Sequence, residues 1–437
     1  MTSPTRIAAR IDAGDIVISA NGDDDFGQIS YTTAQLRPFA DVAIDSPNPV
    51  EFFELFLTLY TADRLVKRRG GWQRRFVFEF PVSDVDRWRG AAPTLRNLIR
   101  QSTGDNVEFE FTHRPAQQRH RDTFRVPFAL ETPRPTAVVL LSDGLDSYCG
   151  AVQQLSARPQ ERLCFVSLST NTRKGARIND VRSHLQRLRP ENLTFCGSFL
   201  HLDDPPRASA QERSQRSRTM LAIAAGFVVS AAYDSQDVIV SENGLGILNL
   251  PVPNLQMDHF SSQVLHPANI PLWSEIPALL WGSKATLVYP NRFRTKAEMC
   301  ASLPPDALEA IRYTTSCDAP RRDVDDACGT CGSCLVRRRA LELPGLASFD
   351  GTYSATASEG RAPMVDAFDV QSYHARELKR RLEALDPWSA LVKYQPTLRT
   401  SVVDSQTPAA HLRYETMQLI QRHITEVIAF EQVQRAH

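Results

Sequence analysis

Two groups of residues in this chain have types and spacings that could do chemistry. Cys317, Cys328, Cys331 and Cys334 follow a C-x10-C-x2-C-x2-C spacing. Three close thiols with a fourth upstream can close a tetrahedron around Zn²⁺, and four thiolates leave no open position, so such a site is structural rather than catalytic. An iron–sulfur cluster is the rival occupant. Gly329 and Gly332 allow tight turns between the ligands. The second group is Ser142-Asp143-Gly144-Leu145-Asp146-Ser147, which follows the apolar run Val138-Val139-Leu140-Leu141 and precedes a helix-forming stretch, Tyr148 to Leu155. Strand, loop and helix in that order suit a phosphate, because unpaired N–H groups and the positive end of the helix dipole point outward there. Gly144 permits the turn, and Ser142 and Ser147 can donate hydroxyls. The plain alternative is a turn in which Asp146 and Ser147 cap a helix. The loop has no lysine of the Gly-x-x-x-x-Gly-Lys-Ser/Thr kind, so kinase-like or GTPase-like chemistry is not indicated.

These groups need a framework, and 437 residues with 42% hydrophobic and 23% charged composition allow two or three globular domains. Fifty basic and fifty acidic residues cancel, so no net field recruits nucleic acid or an anionic membrane. The longest nearly apolar stretch, Leu221 to Tyr233, has 13 residues. A membrane-spanning helix needs roughly 20, so this one reads as a buried helix. The N-terminus, MTSPTRIAARIDAGD, lacks the apolar core of a secretory signal, which points to the cytoplasm and reduced cysteines. Cys149, Cys164, Cys196 and Cys300 stand singly in apolar or mixed segments and read as small core residues.

Three regions are expected. Residues 1–134 mix strand-like alternation, Phe76 to Phe80 and Val107 to Phe111, with a helical stretch, Glu51 to Val66, and suggest an α+β accessory domain. Glu131 to Pro135 should be extended, since a proline disfavours helix for the residue before it. From Ala137 the pattern becomes short apolar runs, Ala137 to Leu141, Leu163 to Leu168 and Val238 to Ser241, separated by helix-length segments, the mark of a doubly wound parallel α/β sheet over residues 135–345. Residues 346–437 read as a linker, Ser348 to Pro363, followed by helices at Tyr373 to Leu385 and His411 to Phe430. Leu412, Thr416, Leu419, His423 and Val427 share one face of the last helix, with His423 a core or surface residue rather than a ligand.

The loop from Ser142 to Ser147 resembles the Ser-Gly-Gly-x-Asp-Ser loop of the PP-loop ATPases, which bind the pyrophosphate of ATP and transfer AMP to a substrate oxygen. Asp143 stands where that family has its first glycine, which leaves metal coordination or a degenerate site open. Loop and cysteine cluster together are similar to the QueC family, the 7-cyano-7-deazaguanine synthases. Arg294-Thr295-Lys296-Ala297-Glu298-Met299 resembles that family's Lys-Thr-Lys-Ala-Glu-Ile segment, and Cys328 to Arg337 resembles its Cys-Gly-x-Cys-x-x-Cys-x-x-Arg ending. Arg216-Ser217, followed by Leu221 and Ala224, resembles the family's Arg-Asn helix start with serine in place of asparagine. The resemblance covers about residues 137–345; the two flanks suggest the longer QueC-like proteins of bacterial anti-phage cassettes, such as the Qat type.

What the resemblance implies is an adenine-nucleotide hydrolase-like fold with ATP, Mg²⁺ and Zn²⁺ as cofactors and a 7-deazaguanine acid as substrate. ATP would be bound by Ser142, Asp143, Gly144, Leu145, Asp146, Ser147 and Arg216, with Asp146, Ser147 and Lys296 serving catalysis and Lys296 meeting the departing pyrophosphate. Glu242 and Asn243 follow an apolar run and should lie at the carboxyl edge of the sheet, where open α/β sheets bind ligands; they are substrate, nucleotide or metal candidates, or simply a strand-ending turn. The implied reaction is formation of an acyl-adenylate, followed by attack of ammonia or of an amine, with a protein from the same defence cassette as a possible partner. Two other readings stay open: a nucleotide-binding regulatory subunit blunted by Asp143, and a zinc-containing nucleic-acid binder, supported only by Arg337-Arg338-Arg339, a run that usually marks a solvated helix face.

Overall fold

The apolar runs become strands of one ten-stranded sheet. The computed structural model of the chain describes residues 4–12, 15–21, 23–31, 46–68, 73–114, 134–170, 172–202, 212, 216–250, 262–317, 327–329, 331–353, 361–402 and 407–436. Within them the strands are β1 (Thr5–Asp12), β2 (Asp15–Ala20), β3 (Asp23–Tyr31), β4 (Arg75–Val82), β5 (Asn106–His113), β6 (Ala137–Leu140), β7 (Leu163–Ser169), β8 (Leu193–Leu202), β9 (Asp237–Ile239) and β10 (Thr286–Val288), in the order β10-β9-β6-β7-β8-β3-β2-β1-β4-β5. Six of the nine pairings are parallel, so the fold is α/β on a large, mostly parallel sheet.

The helices are α1 (Asn48–Leu65), α2 (Val85–Thr103), α3 (Leu145–Ala157), α4 (Thr172–Leu188), α5 (Arg218–Tyr233), α6 (Gly244–Leu248), α7 (Ile270–Trp281), α8 (Lys296–Ala301), α9 (Gly332–Glu342), α10 (Arg361–Leu382), α11 (Pro387–Tyr394), α12 (Leu398–Ser401) and α13 (Ala409–Ala436). They cover both faces of the sheet. Val138 and Leu140 of β6 enter a core shared with α1, α5 and α7, while Ala137, Val139 and Leu141 enter a second core shared with α3, α4 and α8. A strand buried on both sides has no polar face to show, hence its unbroken apolar run. The stretch Leu221 to Tyr233 is the buried α5. Among the described residues, no helix is long and apolar enough to cross a membrane.

Residues before 134 and after 345 are built into this body. β3 pairs antiparallel with β8, Ile29 opposite Leu202 and Tyr31 opposite Leu200, so the sheet continues through the N-terminal region. That pairing covers an edge of β8 that would otherwise present unpaired backbone groups. At the other end α10 and α13 pack on each other and α13 packs on the short α6, with Ala375, Leu378, Leu419 and Ile424 sharing a core with Leu248 and Leu250. Leu412, Thr416, Leu419 and Val427 are buried, as their common face requires. Of the expected linker, residues 354–360 lie outside the described residues, while Ala347–Phe349 forms a 3-10 turn and Tyr353 bridges to Ala327. Residues 131–133 of the expected extended segment also lie outside the described residues.

Candidate functional site

The loop between β6 and α3 closes on itself. The amide of Ser142 donates to Ser147 Oγ at 2.8 Å, and the amide of Gly144 donates to Ser142 Oγ at 3.1 Å. Both hydroxyls therefore act first as acceptors that hold the loop's shape. Gly144 has φ −81°, so the turn does not need a left-handed residue; what glycine spares is a Cβ placed 3.2 Å from Ser142 Oγ. Asp143 is pinned through its backbone: its carbonyl accepts from the Thr315 amide at 2.7 Å, and Gly144 and Thr315 form a parallel bridge.

Two carboxylates of the loop face different cations. Asp146, in the first turn of α3, lies 3.3 Å from Lys296 Nζ and accepts from Asn243 Nδ2 at 2.8 Å through the same oxygen, Oδ2. Asp146 Oδ1 is buried and has no hydrogen-bond partner among the described residues. Burial opposes ionisation of Asp146, but Lys296, Glu242 and Asn243 outweigh it and hold the carboxyl below its ordinary range. Burial, with Asp146 alongside, pushes Glu242 well above the ordinary carboxylate range. Burial also works against the Lys296 ammonium, and Asp146 and Glu242 override it. The second carboxylate, Asp143, lies 3.2 Å from Arg177 Nε and 4.0 Å from Lys174 Nζ, both on α4.

Each of these side chains is positioned by an identifiable device. Asn243 caps α6, its Oδ1 accepting from the amides of Leu245 and Gly246 at 3.1 Å, which frees its amide nitrogen for Asp146 and for Glu242. Asn243 therefore forms the strand-ending turn while its side-chain amide faces Asp146. Gly150 of α3 packs directly on Ser241, and a Cβ there would collide with the serine side chain, so α3 rides close over the end of β9. Lys296 opens α8, which Thr295 and Glu298 cap reciprocally. The C-terminal helix buttresses this start: Thr295 Oγ1 donates to Glu426, Arg422 pairs with Glu298 at 2.8 Å, and Arg422 donates to the Phe293 carbonyl at 2.6 Å. Leu419 of α13 leaves no room for a Cβ on Gly244. Beneath the ion pair, Cys149 and Cys300 meet with sulfurs 3.9 Å apart, and Cys164 and Cys196 meet at 3.5 Å across β7 and β8; all four are buried.

Cys317, Cys328, Cys331 and Cys334 converge, with all four sulfurs within 4.8 Å of one another, and could hold a metal ion such as zinc. Zn–S bonds of about 2.3 Å in a tetrahedron put sulfurs roughly 3.8 Å apart. Cys328 and Cys334 stand at 3.9 Å. Amides of Cys328, Cys331 and Cys334 donate to the sulfurs of Cys317, Cys328 and Cys331 at 3.3 to 3.4 Å, which favours thiolates. Gly329 takes φ +76° in the turn, whereas Gly332 is the first residue of α9. The cluster is wired to the loop, since Cys317 lies two residues beyond Thr315 and its amide donates to Thr315 Oγ1 at 3.5 Å. Arg337 is buried and clamps Asp350, Thr314 Oγ1 and the Ile311 carbonyl at 2.8 to 2.9 Å. Arg339 is buried too and donates to Gln371, so the expected solvated arginine face does not form: two of three guanidiniums tie α9 to its neighbours.

Of the residues singled out from the sequence, Ser142 to Ser147, Glu242, Asn243 and Lys296 come together. Arg216 does not join them. It is buried at the start of α5 and donates to the Thr103 carbonyl at 2.8 Å, beside Asp63, Asp105, Arg68 and Arg74, because a buried guanidinium must find acceptors and the N-terminal layer supplies them. Arg218, two residues on, is the one that acts on Lys174. Sequence reasoning missed Lys174, Arg177, Thr315, Arg422 and Glu426. Only the basic pair at three-residue spacing after β7 left a signal, legible once β6 and β7 are known to be neighbours. No protein-family model matches the chain, and no curated protein matches it.

Proposed function

We propose that the chain is a PP-loop, ATP-dependent adenylating enzyme of QueC-like type, which activates a 7-deazaguanine carboxylate for attack by ammonia or an amine. The Asp146–Lys296 pair at the mouth of the strand–loop–helix unit carries this reading: a half-buried cation stands beside a loop whose amides and hydroxyls can surround phosphate oxygens. A substrate carboxylate oxygen attacks the α-phosphorus of ATP, and the bond to the bridging oxygen breaks as pyrophosphate leaves with its electron pair. The nitrogen nucleophile then attacks the acyl carbon, loses a proton to solvent and expels AMP. Lys296 offsets charge on the departing pyrophosphate, and Ser142 and Ser147 orient the phosphates. Asp146 Oδ1, buried and unpartnered among the described residues, suits Mg²⁺ and with Glu242 would hold it. That ion would neutralise phosphate charge. Zinc in the four-cysteine cluster would be structural, holding Thr315 and through it Asp143.

The longer flanks support a place in a bacterial anti-phage cassette, with an amine on a partner macromolecule as acceptor. A second reading, a nucleotide-binding regulatory subunit with little turnover, is favoured by one observation: Asp143 already occupies Arg177 and Lys174.

Incubation with ATP, Mg²⁺ and 7-carboxy-7-deazaguanine tests the reading. AMP and pyrophosphate should appear, and both should vanish in Ser147→Ala. Release of ADP and phosphate, or turnover indifferent to Ser147, would sink it; nucleotide binding without turnover would leave the regulatory reading. Metal analysis checks the cluster separately, since Cys331→Ser should lose about one zinc per chain.

A further inference from the structure

One face of the C-terminal helix bears on both segments that meet Asp146. Leu419, Arg422 and Glu426 stand three and four residues apart on α13 and so share that face. Arg422 Nε lies 2.8 Å from Glu298 Oε1, Arg422 Nη2 donates to the Phe293 carbonyl at 2.6 Å, and Glu426 accepts from the Thr295 hydroxyl. Thr295 and Glu298 are the two members of the capping box from which Lys296 opens α8. Leu419 reaches the other segment: a Cβ on Gly244 would fall 2.5 Å from Leu419 Cδ2, and the Gly244 amide donates to the Arg294 carbonyl at 2.8 Å, next to Asn243. Lys296 and Asn243 are the groups that meet Asp146 Oδ2, at 3.3 and 2.8 Å.

The start of α8 needs such support. The helix has 6 residues, and isolated helices shorter than about 12 residues are marginal in water. Ala297, Met299 and Cys300 sink one face of it into the core, which leaves its first turn to be fixed by the cap. The helix that bears on the cap is itself anchored, since Ile420, Ile424 and Val427 of α13 pack with Ala375 and Leu378 of α10.

We propose that Arg422 and Glu426 are positioning residues for Lys296: they hold the cap of α8 so that the ammonium stays on Asp146, which makes the C-terminal helix a working part of the site. The effect on turnover rests on the adenylating reading; the placing of Lys296 does not. The two contacts differ in weight. The Arg422–Glu298 pair is 37% and 36% exposed and contributes little, whereas Thr295 is 1% exposed, so its hydrogen bond to Glu426 dominates.

Trace acetylation of the full chain with acetic anhydride, read lysine by lysine by mass spectrometry, tests the placing. Lys296 should react slowly in the unaltered protein, about tenfold faster in Glu426→Ala and about threefold faster in Arg422→Gln, moving toward its rate in Asp146→Asn, where its carboxylate is gone. Lys174, 15% exposed on α4, should keep its rate and so report an intact fold. Arg422→Lys should restore the slow rate in part, since an ammonium can pair with Glu298 but lacks the second arm of the guanidinium. Lys296 reacting at the unaltered rate in both Glu426→Ala and Arg422→Gln would overturn the inference. So would Lys296 and Lys174 speeding up together in both, because α13 would then serve the whole fold rather than one turn. In AMP formation the same two variants should lower kcat and leave KM for ATP nearly unchanged, as a group acting on the departing pyrophosphate requires. An unaltered protein that forms no AMP while the variants free Lys296 would sink the adenylating reading and spare the placing. Full kcat in variants that free Lys296 would overturn the positioning role.

Discussion

Two of the clusters of buried charge among the described residues are built on opposite principles. In the N-terminal layer, Asp63 and Asp105 meet Arg68 and Arg74, and every carboxylate oxygen has donors: Asp63 Oδ2 accepts from the amide and hydroxyl of Ser217, Asp63 Oδ1 from both guanidiniums, and the two oxygens of Asp105 from Arg68 and Arg74. The cluster around the 142–147 loop is left incomplete. Asp146 Oδ1 accepts no hydrogen bond among the described residues, Glu242 is pushed well above the ordinary carboxylate range, and Asp143 faces Arg177 and Lys174. A cluster whose carboxylate oxygens are all met serves to fix α1, β4 and α5 together. An unsaturated one stores binding capacity for a ligand, at a cost to the unliganded fold.

The largest expected effect breaks the saturated cluster. Asp63→Ala leaves the Ser217 amide without its acceptor and Arg74 with Asp105 as its one remaining carboxylate, and removing one partner of a buried pair costs about 3 to 5 kcal/mol. Urea unfolding should show that loss, and a change under about 1 kcal/mol would erase the contrast between the clusters. Lys296→Met should do the reverse. Its unfolding free energy should move by less than that of Asp63→Ala, since Asp146 and Glu242 can share protons in its absence, while AMP formation drops about a hundredfold to a thousandfold, the usual cost of one lost charge-stabilising group. Equal activity in the Lys296 variant would place the chemistry elsewhere.

The smallest effect is on pH. Lys174, pushed down to about 8, faces Asp143 on the loop, Arg218 on α5 and Arg177 on its own helix. It carries its charge below that value and loses it above, so on the phosphate reading of the 142–147 loop pyrophosphate affinity should be full at neutral pH and weaken several-fold by about pH 9. Lys174→Arg should flatten the profile, because a guanidinium keeps its charge throughout. A profile of unchanged slope in that variant would assign the titration to another group.

Much of the region from 135 to 345 was legible in the sequence because its signals are local. The apolar run before Ser142, the spacing of the cysteines and the Thr295-to-Glu298 capping box are each written in a few consecutive residues, and local hydrogen bonds realise them. Arg216 misled because a basic residue at a helix start says nothing about which way it turns. The Arg337 to Arg339 run misled in the same way, since burial of a guanidinium is decided by acceptors on distant segments, Ile311, Thr314, Asp350 and Gln371.

By itself the amino-acid sequence determined the strand–loop–helix unit at Ser142 to Ser147, the four-cysteine cluster from Cys317 to Cys334 that could hold a metal and the parallel α/β character of residues between them, all consequences of periodicity and spacing along the chain. Tertiary structure alone decided that β3 extends the sheet from β8, that α13 holds the start of α8, and that Lys174 and Arg177 answer Asp143. Such pairings join residues tens to more than a hundred positions apart. Their free energy depends on which surfaces are left to bury once the sheet has formed, a quantity no local pattern contains.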